Sequence, residues 1–205
     1  MEKIETPRTS RSQRTRSAIL DAAWRLLAEE GADALSMSAV AERAGISRRG
    51  LYLHFASRGE LFVALHGYID DVLDLESSVG PIREAPDAIS ALEAFVAHVV
   101  RYHVQLIPVA RAVERARYKD PDAEELRRSA AAAWYSAANA VVARLADEGR
   151  LAAPWTVETA TDLLWAFMSV EFIDDLATER GWDLNDFVER LRLVCRRTLV
   201  AETAV

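Results

Sequence analysis

One cysteine, eight glycines and six prolines stand among 205 residues, and each scarcity closes off a class of protein. Cys195 has no second thiol to bridge to, so the chain is expected to be held by its core, in a reducing compartment. The residue itself reads as a small buried apolar side chain rather than a reactive thiol. No run approaches the roughly 18 uncharged apolar residues that span a bilayer. The opening MEKIETPRTSRSQRTR holds no apolar stretch of the kind a secretory signal needs. A cytoplasmic protein with no membrane partner is expected. Missing too are H-E-x-x-H, G-x-S-x-G, a glycine-rich dinucleotide fingerprint and any Cys/His arrangement, so neither an enzyme nor a cofactor is expected. His98 and His103 lie five apart with no cysteine near, which is poor spacing for zinc, and no metal is expected.

What is present is an ordinary globular composition, 51% hydrophobic and 28% charged, in a chain long enough to bury a sizeable core. The net charge of −7 argues against a nucleic-acid partner until its distribution is read. Residues 1 to 60 carry ten basic and eight acidic side chains, while the remainder carries fifteen against twenty-four. A basic head on an acidic body is the asymmetry of a DNA-binding part joined to a part with another task.

Strand-like alternation is absent, and the apolar residues recur at helical spacing. Ile19, Ala22, Ala23, Leu26 and Leu27 share one face of a helix over 16 to 30, which Gly31 stops. Ser36 is a suitable cap for a short second helix with Met37, Val40, Ala41 and Ala44 on one side, closed by Gly45. Ser47 caps a third, in which Leu51 and Phe55 point inward and Arg48, Arg49 and Tyr52 outward. A fourth runs from Ser57 to about residue 78, before GPIREAP breaks the pattern. Helices are then expected over 87 to 105, from Pro108 to about 119, over 122 to 148, 156 to 179 and 183 to 201. The sum is an all-α fold of about nine helices. The expected division is a basic disordered arm over 1 to 13, a helix-turn-helix domain over 14 to 66 with its motif at about 37 to 56, and a helical ligand-binding and dimerisation domain over 67 to 205.

The segment GISRRGLYLHF, residues 45 to 55, carries the chemistry. Gly45 and Gly50 have the spacing of a phosphate-cradling loop, but Leu51 and Tyr52 stand where that loop needs Lys and Ser or Thr. Two short helices joined through Gly45, the second with arginines outside, make instead a helix-turn-helix whose second helix enters the major groove. The fork of Arg48 or Arg49 suits O6 and N7 of guanine, and the Tyr52 hydroxyl suits a phosphate. His54 serves likewise, and Ser36, Ser38 and Ser47 offer hydroxyls, although Ser36 is equally explained as a cap.

SMSAVAERAGISRRGLYLHFASRGELFVAL, residues 36 to 65, resembles the N-terminal domain of TetR-type bacterial transcriptional regulators. Ser36, Val40-Ala41, Ala44-Gly45-Ile46-Ser47, Leu51-Tyr52, Phe55, Ser57-Arg58 and Glu60-Leu61 fill that family's pattern. The resemblance implies a homodimer that binds double-stranded operator DNA as a repressor and releases it when a small-molecule effector enters the C-terminal domain. Arg49 and Gly50 depart from the small residue and the Thr, Ser or Ala usual there, and one reading is that Gly50 lets the backbone lie close to DNA. Arg58, where the family has lysine, is expected to hold phosphate. An architectural DNA-binding protein without ligand response is the alternative, set against the acidic charge and size of residues 67 to 205.

By the same resemblance, the last two helices are expected to form the dimer interface. In LLWAFMSVEFI, residues 163 to 173, apolar side chains surround most of the helix. Phe95, Tyr102, His103, Trp134, Asn139, Trp165 and Met168 are the candidate lining of a mostly apolar effector site, with plain core as the competing reading.

Overall fold

The computed structural model describes residues 7 to 201, with side chains from residue 11. Its helices are α1 Pro7–Glu30, α2 Met37–Arg43, α3 Arg48–Tyr52, α4 Arg58–Val72, α5 Leu75–Arg83, α6 Ala88–Ala116, α7 Pro121–Asp147, α8 Val157–Phe167, α9 Val170–Asp174 and α10 Leu184–Leu199. A 3₁₀ turn over Ala32–Ala34 and a π turn over Asp175–Glu179 complete the set. Among the described residues there is no strand, only one isolated antiparallel bridge between Leu151 and Val200. The fold is all-α, as the periodicity implies, with ten α-helices among the described residues against the nine or so expected.

Four boundaries differ from expectation. The first helix begins at Pro7 rather than near residue 16, inside the segment expected as an arm, and residues 1 to 6 of that segment lie outside the described residues. Proline is pre-organised for a first helical position, and extending an existing helix escapes the cost of nucleation. The expected fourth helix is two, because Asp74 adopts a left-handed φ of 49°, which Asp tolerates better than most residues. Pro108 does not divide α6, which runs through it. The bond lost at Pro108 is one among many in a 29-residue helix whose broad apolar face is buried. Finally, residues 156 to 179 do not form one helix: Ser169 accepts a hydrogen bond from the Phe172 amide and starts α9 anew.

Two compact units result, one of the chain up to Val72 with Pro108–Arg128, the other of Leu73–Ile107 with the chain from Ser129. The first unit thus joins the N-terminal part to Pro108–Arg128, a segment that a contiguous reading of the sequence assigns to the C-terminal part. Its core joins Ile19, Ala23 and Leu27 of α1 to Val40 of α2, Leu51 of α3 and Leu61 and Leu65 of α4, all fully buried. Each of the isoleucine, valine and leucine side chains contributes about 1.5 to 3 kcal/mol on burial. Arg43 fastens α2 to the end of α1 through Glu29 at 2.7 Å and Glu30 at 2.9 Å.

The second unit is built around Leu92, Phe95, Val96 and Val99 of α6, Val142 and Leu145 of α7, Leu164 of α8 and Phe187, Val188 and Leu191 of α10. Cys195 lies in this core, and burial pushes its thiol up to about 12, which fits an inert apolar packing residue. Glu148, past the end of α7, accepts the Ala88 amide at 2.8 Å while held by Arg144 at 3.0 Å, so it caps the start of α6.

Candidate nucleic-acid interface

Ser36 accepts the Ala39 amide at 3.1 Å to start α2, and Ser47 accepts the Gly50 amide at 3.0 Å to start α3. Between them Gly45 takes a φ of 66°, a left-handed turn that a side chain would strain, and Ile46 N–H closes the turn on the Ala41 carbonyl at 3.0 Å. Leu51 and Phe55 are fully buried and fix the rotation of α3. Arg48, Arg49 and Tyr52 are thereby left in solvent, with the Arg48 guanidinium 5.8 Å from the Tyr52 ring. Behind them the Arg16 guanidinium lies 4.2 Å over Phe55 and donates to the His54 carbonyl at 3.1 Å. That bond pins the far end of the motif to α1, and the His54 ring sits half-buried beside it.

Gly50 has a local reason besides any approach of DNA. A Cβ added there would meet the Ser47 hydroxyl at 3.2 Å, the atom that caps the helix. The residue the pattern reading overlooked is Leu53, 82% exposed at the end of α3. It falls out of step with Leu51 and Phe55, the one signal that sets it outside the core, and an exposed aliphatic there suits a thymine methyl.

Arg58, the residue expected to hold phosphate, has its donors turned inward. Its Nε donates to the Leu35 carbonyl at 2.7 Å and one Nη to the Ala32 carbonyl at 3.2 Å. The remaining donors meet Asp120 at 2.8 and 2.7 Å and Asp122 at 3.2 Å, and the guanidinium lies 4.5 Å over the Phe62 ring. All five N–H groups are committed, leaving none for a phosphate. Burial would lower the Arg58 pKa, but the hydrogen bonds and charges of Asp120 and Asp122 outweigh it and hold it above its ordinary value. The reciprocal effect holds Asp120 below the usual carboxylate range. The physical reason is the partner: Asp120-Pro121-Asp122 lies some sixty residues away in sequence, where no local pattern could pair it with Arg58.

A groove of about 520 Å³ opens in this unit, bounded by Ser36, Ser38, Arg48 and Tyr52 on one side and by Lys119, Asp120 and Pro121 on the other.

Residues 19–65 match the family described as bacterial regulatory proteins, tetR family. That segment belongs to the TetR family. AcrR, a helix-turn-helix transcriptional regulator of Shigella flexneri, is 30% identical over 96 residues, which cover 43% of this chain and 41% of AcrR. BepR, a transcriptional repressor of Brucella suis biovar 1 (strain 1330), is 26% identical over 179 residues, 83% of this chain and 84% of BepR. In three dimensions FadR of Bacillus subtilis, a transcriptional regulator solved in complex with stearoyl-CoA, superposes with a TM-score of 0.69 at 15% identity, over 88% of this chain and 97% of FadR. The relatives are regulators rather than enzymes, and residues 19–65 carry the TetR-family DNA-binding segment.

The seven candidate effector residues part into groups in the second unit. Tyr102, His103 and Trp134 come together, joined by His98: the His103 and Trp134 rings meet edge-on at 4.5 Å, and His98 and Tyr102 lie 5.7 and 5.5 Å from the indole. His98 and His103 therefore share a neighbour although they are five apart, because the broad indole reaches both. Phe95 and Met168 are buried core, and Asn139 donates to the Thr161 hydroxyl at 3.3 Å. Trp165 is not with them; 38% exposed, it meets the Tyr135 ring edge-on at 6.4 Å and donates to the Ala131 carbonyl.

His98 shares a 2.6 Å hydrogen bond with Ser78 through Nδ1, its Nε2 meets no hydrogen-bond partner among the described residues, and the His103 ring has the Met168 backbone beside it. Burial opposes the charged form and lowers His98 to about 4 and His103 to about 3. Both rings are neutral at physiological pH, so each nitrogen either donates or accepts.

Proposed function

We propose that this TetR-family regulator is a homodimeric repressor that binds a palindromic operator and leaves it when a small, mostly apolar effector enters the second unit. The observation that carries the DNA reading is the exposed row of Arg48, Arg49, Tyr52 and Leu53 on a helix anchored from behind by Leu51 and Phe55. Such a surface offers guanine a fork, thymine a methyl contact and phosphate a hydroxyl. Ser38 lies beside it and adds a hydroxyl, while Ser36 and Ser47 accept backbone amides as helix caps and keep their O–H to donate.

Support for an effector comes from His98, Tyr102, His103 and Trp134. Apolar faces with a few convergent polar atoms are the composition of small-molecule sites, and the buried His98 Nε2 favours a molecule that supplies a donor or acceptor. FadR, with its bound stearoyl-CoA, is a precedent for an effector on this fold. Support for the dimer comes from Trp165, Trp182, Leu193 and Val194, large apolar side chains 38 to 49% exposed in the second unit.

Affinity selection of genomic fragments by the purified protein, with Arg49→Ala run beside it, tests the reading. Enrichment of one palindrome that the variant no longer prefers supports a sequence-specific repressor. Equal retention of all fragments would sink it in favour of an architectural DNA-binding protein.

A further inference from the structure

Arg58 stands at the start of α4, next to the groove, yet every one of its donors is turned inward to Ala32, Leu35, Asp120 and Asp122. The groove keeps two other cations. Arg48 belongs to α3; Lys119 comes from the turn between α6 and α7, outside the helix-turn-helix. Lys119 is exposed, and no ion pair among the described residues engages its ammonium. Its backbone is held by a hydrogen bond from its amide to the Ala116 carbonyl at 2.9 Å. The next residue, Asp120, is gripped by Arg58, so the turn that carries Lys119 is tied to the base of α4.

We infer that Lys119, on the turn that Arg58 ties to α4 through Asp120, is a DNA-backbone contact of this regulator. The inference rests on the reading of the Arg48–Tyr52 face as the DNA interface. The groove has a charge balance that suits a phosphate. Its acids are Asp33 and Asp120, and Arg58 already neutralises Asp120. Arg48 and Lys119 then face one exposed acid, a net positive groove whose other polar groups, Ser36, Ser38 and Tyr52, are hydroxyls able to donate to phosphate oxygens. A lysine at this place reads no base: its ammonium is a point charge without the planar fork that recognises guanine. Its contribution is to affinity and register, uniform across sequences and dependent on salt. The segment around it agrees, since residues 108 to 128 carry six basic and five acidic side chains, whereas the second unit is strongly acidic.

The test is the affinity of the full chain for a selected operator duplex and for a random duplex of equal length, each at several salt concentrations, for wild type, Lys119→Ala, Lys119→Arg and Arg49→Ala. Lys119→Ala is expected to weaken both duplexes alike, by roughly three- to tenfold, and to reduce the slope of log affinity against log salt by about one per protomer. Lys119→Arg keeps the charge and the slope. Arg49→Ala by contrast weakens the operator more than the random duplex. Thermal unfolding unchanged from wild type, expected for an exposed side chain, shows that the variant is folded. If Lys119→Ala matches wild type in affinity and slope while Arg49→Ala loses base preference, the Lys119 contact is wrong and the helix-turn-helix reading stands. A Lys119→Ala protein that loses base preference overturns the phosphate role. Wild type that binds neither duplex overturns both readings together.

Discussion

Arg49 holds its charge in open solvent one residue before Gly50, on the face that Leu51 and Phe55 turn away from the core. A fork so placed can bind the edge of a guanine, and losing one such contact costs about 1 to 3 kcal/mol. Arg49→Ala should therefore weaken operator binding by that amount and flatten the preference at one base position, read by competition with a set of singly substituted duplexes. An equal loss on every duplex would make it a phosphate contact instead. Arg58 acts in the opposite way, through the folded state. Arg58→Lys replaces five fixed donors by three, leaving buried carbonyls or carboxylates without partners, and should cost about 1 to 3 kcal/mol of stability by urea denaturation. A variant as stable as wild type would contradict the clip. These two arginines also mark what a sequence can disclose. The outward direction of Arg49 follows from local periodicity; the fate of Arg58 depends on Asp120 and Asp122, contacts that no spacing rule reaches.

The elements were legible where period and punctuation agreed. Ser36, Ser47 and Gly45 placed α2 and α3 because caps and a left-handed turn are local chemistry. Pro108 misled in α6, because the sequence shows the missing donor but not the burial that compensates for it, and Asp74 gave too weak a signal for the break after α4. The effector candidates meet the same limit: helical spacing could not separate Trp165, on the surface, from Tyr102, His103 and Trp134. Of these elements α6 has a pH consequence. An unfolded histidine takes its proton near 6.5, whereas His98 and His103 take theirs only near 4 and 3. Between those values the unfolded chain binds more protons than the folded one. Stability is thus fully present above pH 6.5 and declines on acidification, by up to about 1.4 kcal/mol per pH unit for each ring. In His103→Phe the decline between pH 6.5 and 5 should be shallower, measured as the urea midpoint against pH. Parallel curves for the two proteins would show that the ring is not buried as neutral imidazole.

Across the molecule, charge and apolar surface point to how two copies would meet. α8 carries Glu158 and Asp162 and no base, while α10 carries four arginines against Asp186 and Glu189. The exposed apolar residues lie on or near the same two helices, Trp165 on α8 and Leu193 and Val194 on α10. In a two-fold dimer each surface meets its symmetry mate, so α8 of one copy can face α10 of the other with opposite charge around an apolar centre. Burying one exposed leucine is worth about 1.5 to 3 kcal/mol, which corresponds to roughly ten- to a hundredfold in the dissociation constant. Leu193→Asp should therefore raise the dimer dissociation constant at least tenfold, read by analytical ultracentrifugation across a concentration series, with the helical circular dichroism retained because the side chain is outside the core. Operator affinity should fall with it, since two recognition helices spaced by the dimer are what match half-sites about 34 Å or a multiple apart. A wild-type protein that sediments as a monomer at working concentrations while still selecting a palindrome would require the operator itself to bring the two copies together, and would remove α8 and α10 as the interface.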